Sequence, residues 1–114
     1  MTYQDRRALR VHPGSPGCLV ASVHGVVNAA LAQRIADKLA GLIGPDTREV
    51  HLDVDQANPM SAAAAAVLFF PVLEATGSQG TVVTFTVHRA GDRTRTHMHE
   101  LGLDRLLSHS DEPA

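Results

Sequence analysis

Tryptophan is missing from this chain, tyrosine occurs once and phenylalanine three times. Whatever core it builds must therefore be aliphatic, drawn from its Val, Leu, Ile and Ala residues. Cysteine is equally scarce. With Cys18 alone there is no internal disulfide and no Cys-x-x-Cys pair, and the thiol reads as a small apolar strand residue. Neither sign of charge is in excess. A formal net charge of -2 supplies no field for a phosphate backbone or an anionic membrane, so nucleic acid is not an expected partner. No window approaches the ~18 uninterrupted apolar residues of a membrane span, and no apolar stretch follows the charged start "MTYQDRRALR". The expectation is a cytoplasmic protein with no membrane insertion.

What is present suits one domain. The 114 residues, 44% of them hydrophobic, suffice for a single core. Neither internal repeats nor a long linker divide them. We expect the domain to occupy 1–114, with a core over about 8–108 and a polar tail over 109–114.

Hydrophobic periodicity predicts the elements. Leu9 and Val11 alternate with Arg10 and His12 ahead of the turn "HPGSPG", and "CLVASVHG" sets Leu19, Ala21 and Val23 against Val20, Ser22 and His24. Two strands joined as a hairpin follow from that pattern. From Asn28 the period lengthens: Leu31, Ile35, Leu39 and Leu42 form one stripe of a helix that Asn28 can cap and Gly44-Pro45 can end. "EVHLDVD" and "TVVTFTVH" return to period two. Between them lies "SAAAAAVLFFPVLEATG", of crossover-helix length, with Ser61 as its cap, Gly77 as its stop and Pro71 inside. A proline there lacks the amide donor and crowds the preceding turn, so a kink or a division into two pieces is expected. "DRTRTHMHELGLDRLL" predicts one further helix, or two short ones around Gly102. Strands alternating with helices imply right-handed crossovers and a mostly parallel sheet, with the hairpin as an antiparallel edge.

Candidate chemistry is sparse. His97 and His99 are two apart, a spacing that shares a face on a strand but not on a helix, and no metal-binding motif accompanies them. No metal or cofactor is expected. Asp53 and Asp55 could point the same way at a strand end, but a wet strand face entering a loop accounts for them. "GSQG" has neither the lysine nor the following helix of a phosphate loop, and Arg89, Arg93 and Arg95 read as a solvated face. Ser22, His24 and Asp53 are the residue types of a hydrolytic triad, but no G-x-S-x-G elbow exposes a nucleophile, and no catalysis is expected.

The segments "VASVHGVVNAALAQRIADKLAGLI", "VHLDVDQANPMSAAAAAVLFF", "TVVTFTVH" and "HELGLDRLL" resemble, in order and spacing, the STAS domain of bacterial anti-sigma factor antagonists. The resemblance spans about residues 8 to 108. It implies an α/β fold with a four- to five-stranded mixed sheet, a hairpin edge and helices mainly on one face. It implies no enzyme, but a regulator of transcription that binds an anti-sigma factor or a histidine-kinase-like protein. In the family a DSSG or DSTG sequence opens the second helix, and the partner kinase phosphorylates its first serine. A phosphate there gains from free amides and the helix N-terminus while adding about two negative charges to the surface the partner covers.

Aligning "LDV" at 52 to 54 with the family's "LDL" places Ser61 at the aspartate, Ala62 at the phosphoacceptor, Ala63 at the next serine and Ala64 at the glycine. A one-residue shift in the loop makes Ser61 the acceptor instead. Ser61 is thus a helix cap or a displaced phosphoacceptor, and the resemblance implies a partner surface of Asp55, Asn58, Pro59, Met60, Ser61, Ala62 and Ala63. The alternative function is a STAS-like structural subunit that self-associates within a signalling scaffold or membrane-transport complex. A third is small-ligand binding near His24, Asp53 and Asn58.

Overall fold

The order of apolar and polar residues along each strand decides which way the sheet faces. In the computed structural model, which describes residues 8–12, 14–57, 60–78 and 82–108, β1 is Leu9–His12, β2 is Cys18–Val23, β3 is Glu49–Asp53 and β4 is Thr84–His88. They form one sheet in the order β1-β2-β3-β4. The first pair is antiparallel, with Leu9 opposite Val23, and the other two are parallel, with Cys18 opposite Glu49 and Glu49 opposite Thr84. Ala21, Val23, Val50, Leu52, Phe85 and Val87 are all buried. Their neighbours His51, Asp53, Thr86 and His88 on the opposite face remain half-buried. One covered and one open face is what helices on a single side produce. Val11, which shares its side of β1 with the buried Leu9, is 45% exposed on this edge strand.

Helix α1, Ala29–Leu42, starts where the Asn28 side chain accepts the Leu31 amide at 2.8 Å. It buries Leu31, Ala32, Ile35, Ala36 and Leu39, and stops before Gly44, whose amide donates to Thr47 Oγ1. Leu42, the last residue of the expected stripe, ends the helix 41% exposed.

Helix α2, Ala62–Gly77, contains Pro71 without being divided by it. Of the two expected outcomes the division does not occur, because Leu68, Phe69 and Val72, fully buried on either side of the proline, hold both halves on the same core. The lost hydrogen bond and ring clash, typically ~3 kcal/mol, are set against burial of these side chains at about 1.5–3 kcal/mol each. Ala64 and Ala65, both at 0% exposure, let α1 and α2 approach closely in the most extensive helix–helix contact of the fold.

Helix α3, Asp92–Glu100, ends at Gly102, as one of the two expected arrangements has it. The Leu103 amide donates to Met98 O at 2.8 Å and the Gly102 amide to His99 O at 3.1 Å, a Schellman closure. This closure needs a left-handed residue, and Gly102 has φ 75°. Leu103 and Met98 then meet the core, and a 3₁₀ turn, Asp104–Leu106, leads the chain back along β4, where the Ser108 amide donates to Val87 O. The buried apolar residues form one cluster.

Candidate functional site

Two surfaces concentrate polar chemistry. The first lies where β3 hands over to α2. Val54 is buried and its amide donates to His88 O, which carries the chain off the end of the sheet beside β4. The Asp55 amide then donates to Asp53 Oδ1 at 2.9 Å, a local turn of the kind aspartate favours. The Gly25 amide, donating to Gln56 O at 3.0 Å, ties the same loop to the end of β2. Beyond it, Ser61 caps α2, its Oγ accepting the Ala64 amide at 3.1 Å.

Ser61, Asp55 and Ala63 are exposed and Ala62 is half-buried. Met60 corrects the expected surface: at 1% exposure its side chain belongs to the core, where it anchors the loop and offers nothing to a partner. Asn58 and Pro59 lie outside the described residues.

Arg89 closes one side of this surface. It has φ 57°, a left-handed conformation unusual for a residue with a Cβ, and its guanidinium binds the Asp53 carboxylate, with Asp55 Oδ2 at 3.8 Å. The two aspartates do converge, but onto an arginine. Partial burial pushes the Asp53 carboxyl up, yet hydrogen bonds from Arg89 and the Asp55 amide, with the Arg89 charge, hold it below its ordinary value. Of the three arginines, Arg89 turns to these carboxylates, while Arg93 is an exposed residue of α3.

The second surface is the open face of the sheet. Alternation places His12, Ser22, His24, His51, Asp53 and His88 on it, and strand pairing brings them into two groups. The Ser22 hydroxyl lies 2.9 Å from His12 Nε2 and 2.8 Å from His24 Nε2. Burial, then the charges of Arg10 and His12, hold His24 below its ordinary value against the opposing pull of Asp53. No hydrogen bond joins Asp53 to His24 among the described residues, so the Ser22, His24 and Asp53 set is not wired as a triad. In the second group, His51 Nδ1 lies 2.8 Å from His88 Nε2 and His51 Nε2 lies 3.2 Å from Glu49 Oε1. Reading each strand separately missed this group, because its members come from different strands. The regular polar alternation was the available signal.

His97 and His99 separate on α3 as helical spacing requires. His97 Nδ1 faces Glu100 at 3.6 Å, and His99 Nδ1 meets Asp104 Oδ2 at 2.8 Å. Among the described residues, one surface hollow of about 330 Å³ lies by Cys18 and Pro45 and another of about 580 Å³ by Leu73 and Arg105. Among the described residues no helix is long and apolar enough to cross a membrane.

No protein-family model matches the chain, and no curated protein matches it. Solved structures do. The unphosphorylated form of the anti-sigma factor antagonist SpoIIAA is similar with a TM-score of 0.72 and 10% identity, covering 89% of this chain and 86% of that one. An anti-sigma factor antagonist from Mycobacterium paratuberculosis is similar with a TM-score of 0.69 and 19% identity, covering 94% and 87%. The four-stranded mixed sheet with three α-helices among the described residues defines an α/β protein. More narrowly, the chain has the STAS fold of these anti-sigma factor antagonists, as its segments led us to expect.

Proposed function

We propose that this chain is a single-domain, non-enzymatic, STAS-type regulator that acts in the cytoplasm by binding a protein partner. The partner is an anti-sigma factor or a related histidine-kinase-like regulator. It covers the start of α2 and the loop before it, contacting Asp55, Ser61, Ala62 and Ala63, with Asn58 and Pro59 from the adjoining segment. The observation that carries the proposal is the exposed, Ser61-capped N-terminus of α2 on a fold shared with two anti-sigma factor antagonists.

In this reading Ser61 acts as a cap and binding needs no phosphorylation switch. Its hydroxyl is committed to the Ala64 amide, and the exposed Ala63 beside it offers a small apolar side chain that a partner can approach closely. Affinity capture with the whole chain as bait tests the proposal, with Ala63→Arg as the surface variant. Recovery of a histidine-kinase-like anti-sigma factor by the natural chain, and its loss with Ala63→Arg, is the expected result. Recovery of only further copies of this chain, scaffold proteins or transporter subunits would overturn it in favour of a structural subunit. Phosphate on Ser61 of the recovered chain would overturn the constitutive part alone.

A further inference from the structure

The parallel pairing of β2 with β3 places Cys18 directly opposite Glu49, and the period of two on β3 brings His51 to the same open face as Glu49. One ligand atom from each residue, the Cys18 sulfur, a Glu49 carboxylate oxygen and a His51 ring nitrogen, lie within 4.8 Å of one another. We propose that Cys18, Glu49 and His51 form a binding site for a transition-metal dication of the zinc class. This proposal is independent of the partner-binding reading, since it uses the opposite ends of β2 and β3 from the α2 surface.

The donor set selects the metal class. A thiolate and an imidazole together favour zinc-like, borderline-soft cations over magnesium or calcium, and a carboxylate supplies a third ligand that leaves a fourth position for water. Bonds of about 2.0–2.3 Å place tetrahedral ligand atoms about 3.5 Å apart. His51 Nε2 and Glu49 Oε1, 3.2 Å apart, already stand near that spacing, so the Cys18 sulfur is the atom that must move in, by roughly 1 Å, within reach of side-chain rotation. The strand backbones need not move. Glu49 is 55% exposed and His51 27%, so the ion has a path in.

His51 also has an orienting neighbour. Its Nε2 lies 3.2 Å from Glu49 Oε1, on the ligand side, while its Nδ1 lies 2.8 Å from His88 Nε2. A metal on Nε2 requires the ring proton at Nδ1, where it donates to His88 Nε2. His88 is thus a positioning residue of the kind that fixes a metal-bound imidazole through its second nitrogen. Binding releases the thiol proton of Cys18 to solvent and leaves the thiolate on the metal.

Titration of the full chain with Co²⁺ in a phosphine-reduced buffer tests the site, followed by displacement with Zn²⁺. One equivalent should bind with a thiolate-to-cobalt charge-transfer band and the intense visible spectrum of tetrahedral cobalt. Cys18→Ser should abolish the charge-transfer band. His51→Asn and Glu49→Gln should each weaken binding by more than about tenfold, and His99→Asn should leave it unchanged. His88→Phe should weaken binding by about 10- to 100-fold with the charge-transfer band retained. Cobalt bound without that band, or bound equally by Cys18→Ser or Glu49→Gln, would overturn the proposal. Unchanged affinity in His88→Phe would overturn the positioning role. Glu49→Gln alters an exposed carboxylate, so it decides the matter even where Cys18→Ser folds poorly.

Discussion

Replacing Ser61 by alanine removes one acceptor and nothing from the core, which makes its cost simple to work out. The Oγ satisfies the Ala64 amide at 3.1 Å, one of the free donors at the start of α2, and the first turn carries no acidic side chain. The next two residues inward, Ala64 and Ala65, are at 0% exposure, so fraying of this turn would open the α1–α2 contact. The loss therefore registers as global stability, at about 1 kcal/mol. For a domain of 114 residues that is a fall in Tm of roughly 4 °C. Ser61→Asp should match or slightly exceed the natural protein, because its carboxylate caps the same amide and gains from the helix N-terminus. Urea denaturation and thermal melts followed by circular dichroism read both variants, with an unchanged m-value showing that the unfolded state is unaltered. An alanine variant as stable as the natural protein, or an aspartate variant less stable than the alanine one, would refute the cap.

Pro71→Ala restores the amide that α2 lacks and removes a ring from its interior, so stability should rise by up to about 3 kcal/mol in the same urea assay. A loss would mean that the core is fitted to the proline's geometry. Stability should also increase with pH through the mildly acidic range. His24 sits below its ordinary value of 6.5, so the unfolded chain takes up its proton first. The contribution is intact above pH 6.5 and is lost as pH falls through the lower folded value. His24→Gln should flatten that slope, and an unaltered or inverted slope would contradict it. Asp53, held below its ordinary 3.8, acts in the same direction at lower pH: its contribution is present above 3.8 and lost below, through the folded value. Arg89→Ala should raise the Asp53 pKa as followed by carboxyl NMR. An unchanged Asp53 titration would contradict the assignment to the guanidinium.

Much of the fold was legible because local patterns and tertiary burial agree. Val50 and Leu52 on β3, and Phe85 and Val87 on β4, alternate as strands with one covered face must, and Asn28 and Gly102 stand where capping chemistry places them. At Pro71 the division that propensity allows does not occur, because propensity judges a turn in isolation, while Phe69 and Val72 commit that turn to the core. Met60 was misread for a related reason. A residue between a loop and a capped helix looks available until the loop folds down and buries it.

The Cys18, Glu49 and His51 group could not be found by spacing along the chain. It depends on the register between β2 and β3, set across an intervening helix, and a one-residue slip would send its members to opposite faces. Ser61 was legible as a cap from its position before the alanines. Its exposure beside Ala63, on which the proposed partner surface rests, came only with the packed helix.

Calorimetric titration of the captured anti-sigma factor with the natural chain, Ser61→Asp and Ala63→Arg tests the central claim most directly. The account predicts that Ser61→Asp binds like the natural chain and that Ala63→Arg loses at least about tenfold in affinity, or 1.4 kcal/mol. Undiminished binding by Ala63→Arg would contradict the proposed surface, and loss of binding by Ser61→Asp alone would return Ser61 to the role of a phosphorylation switch.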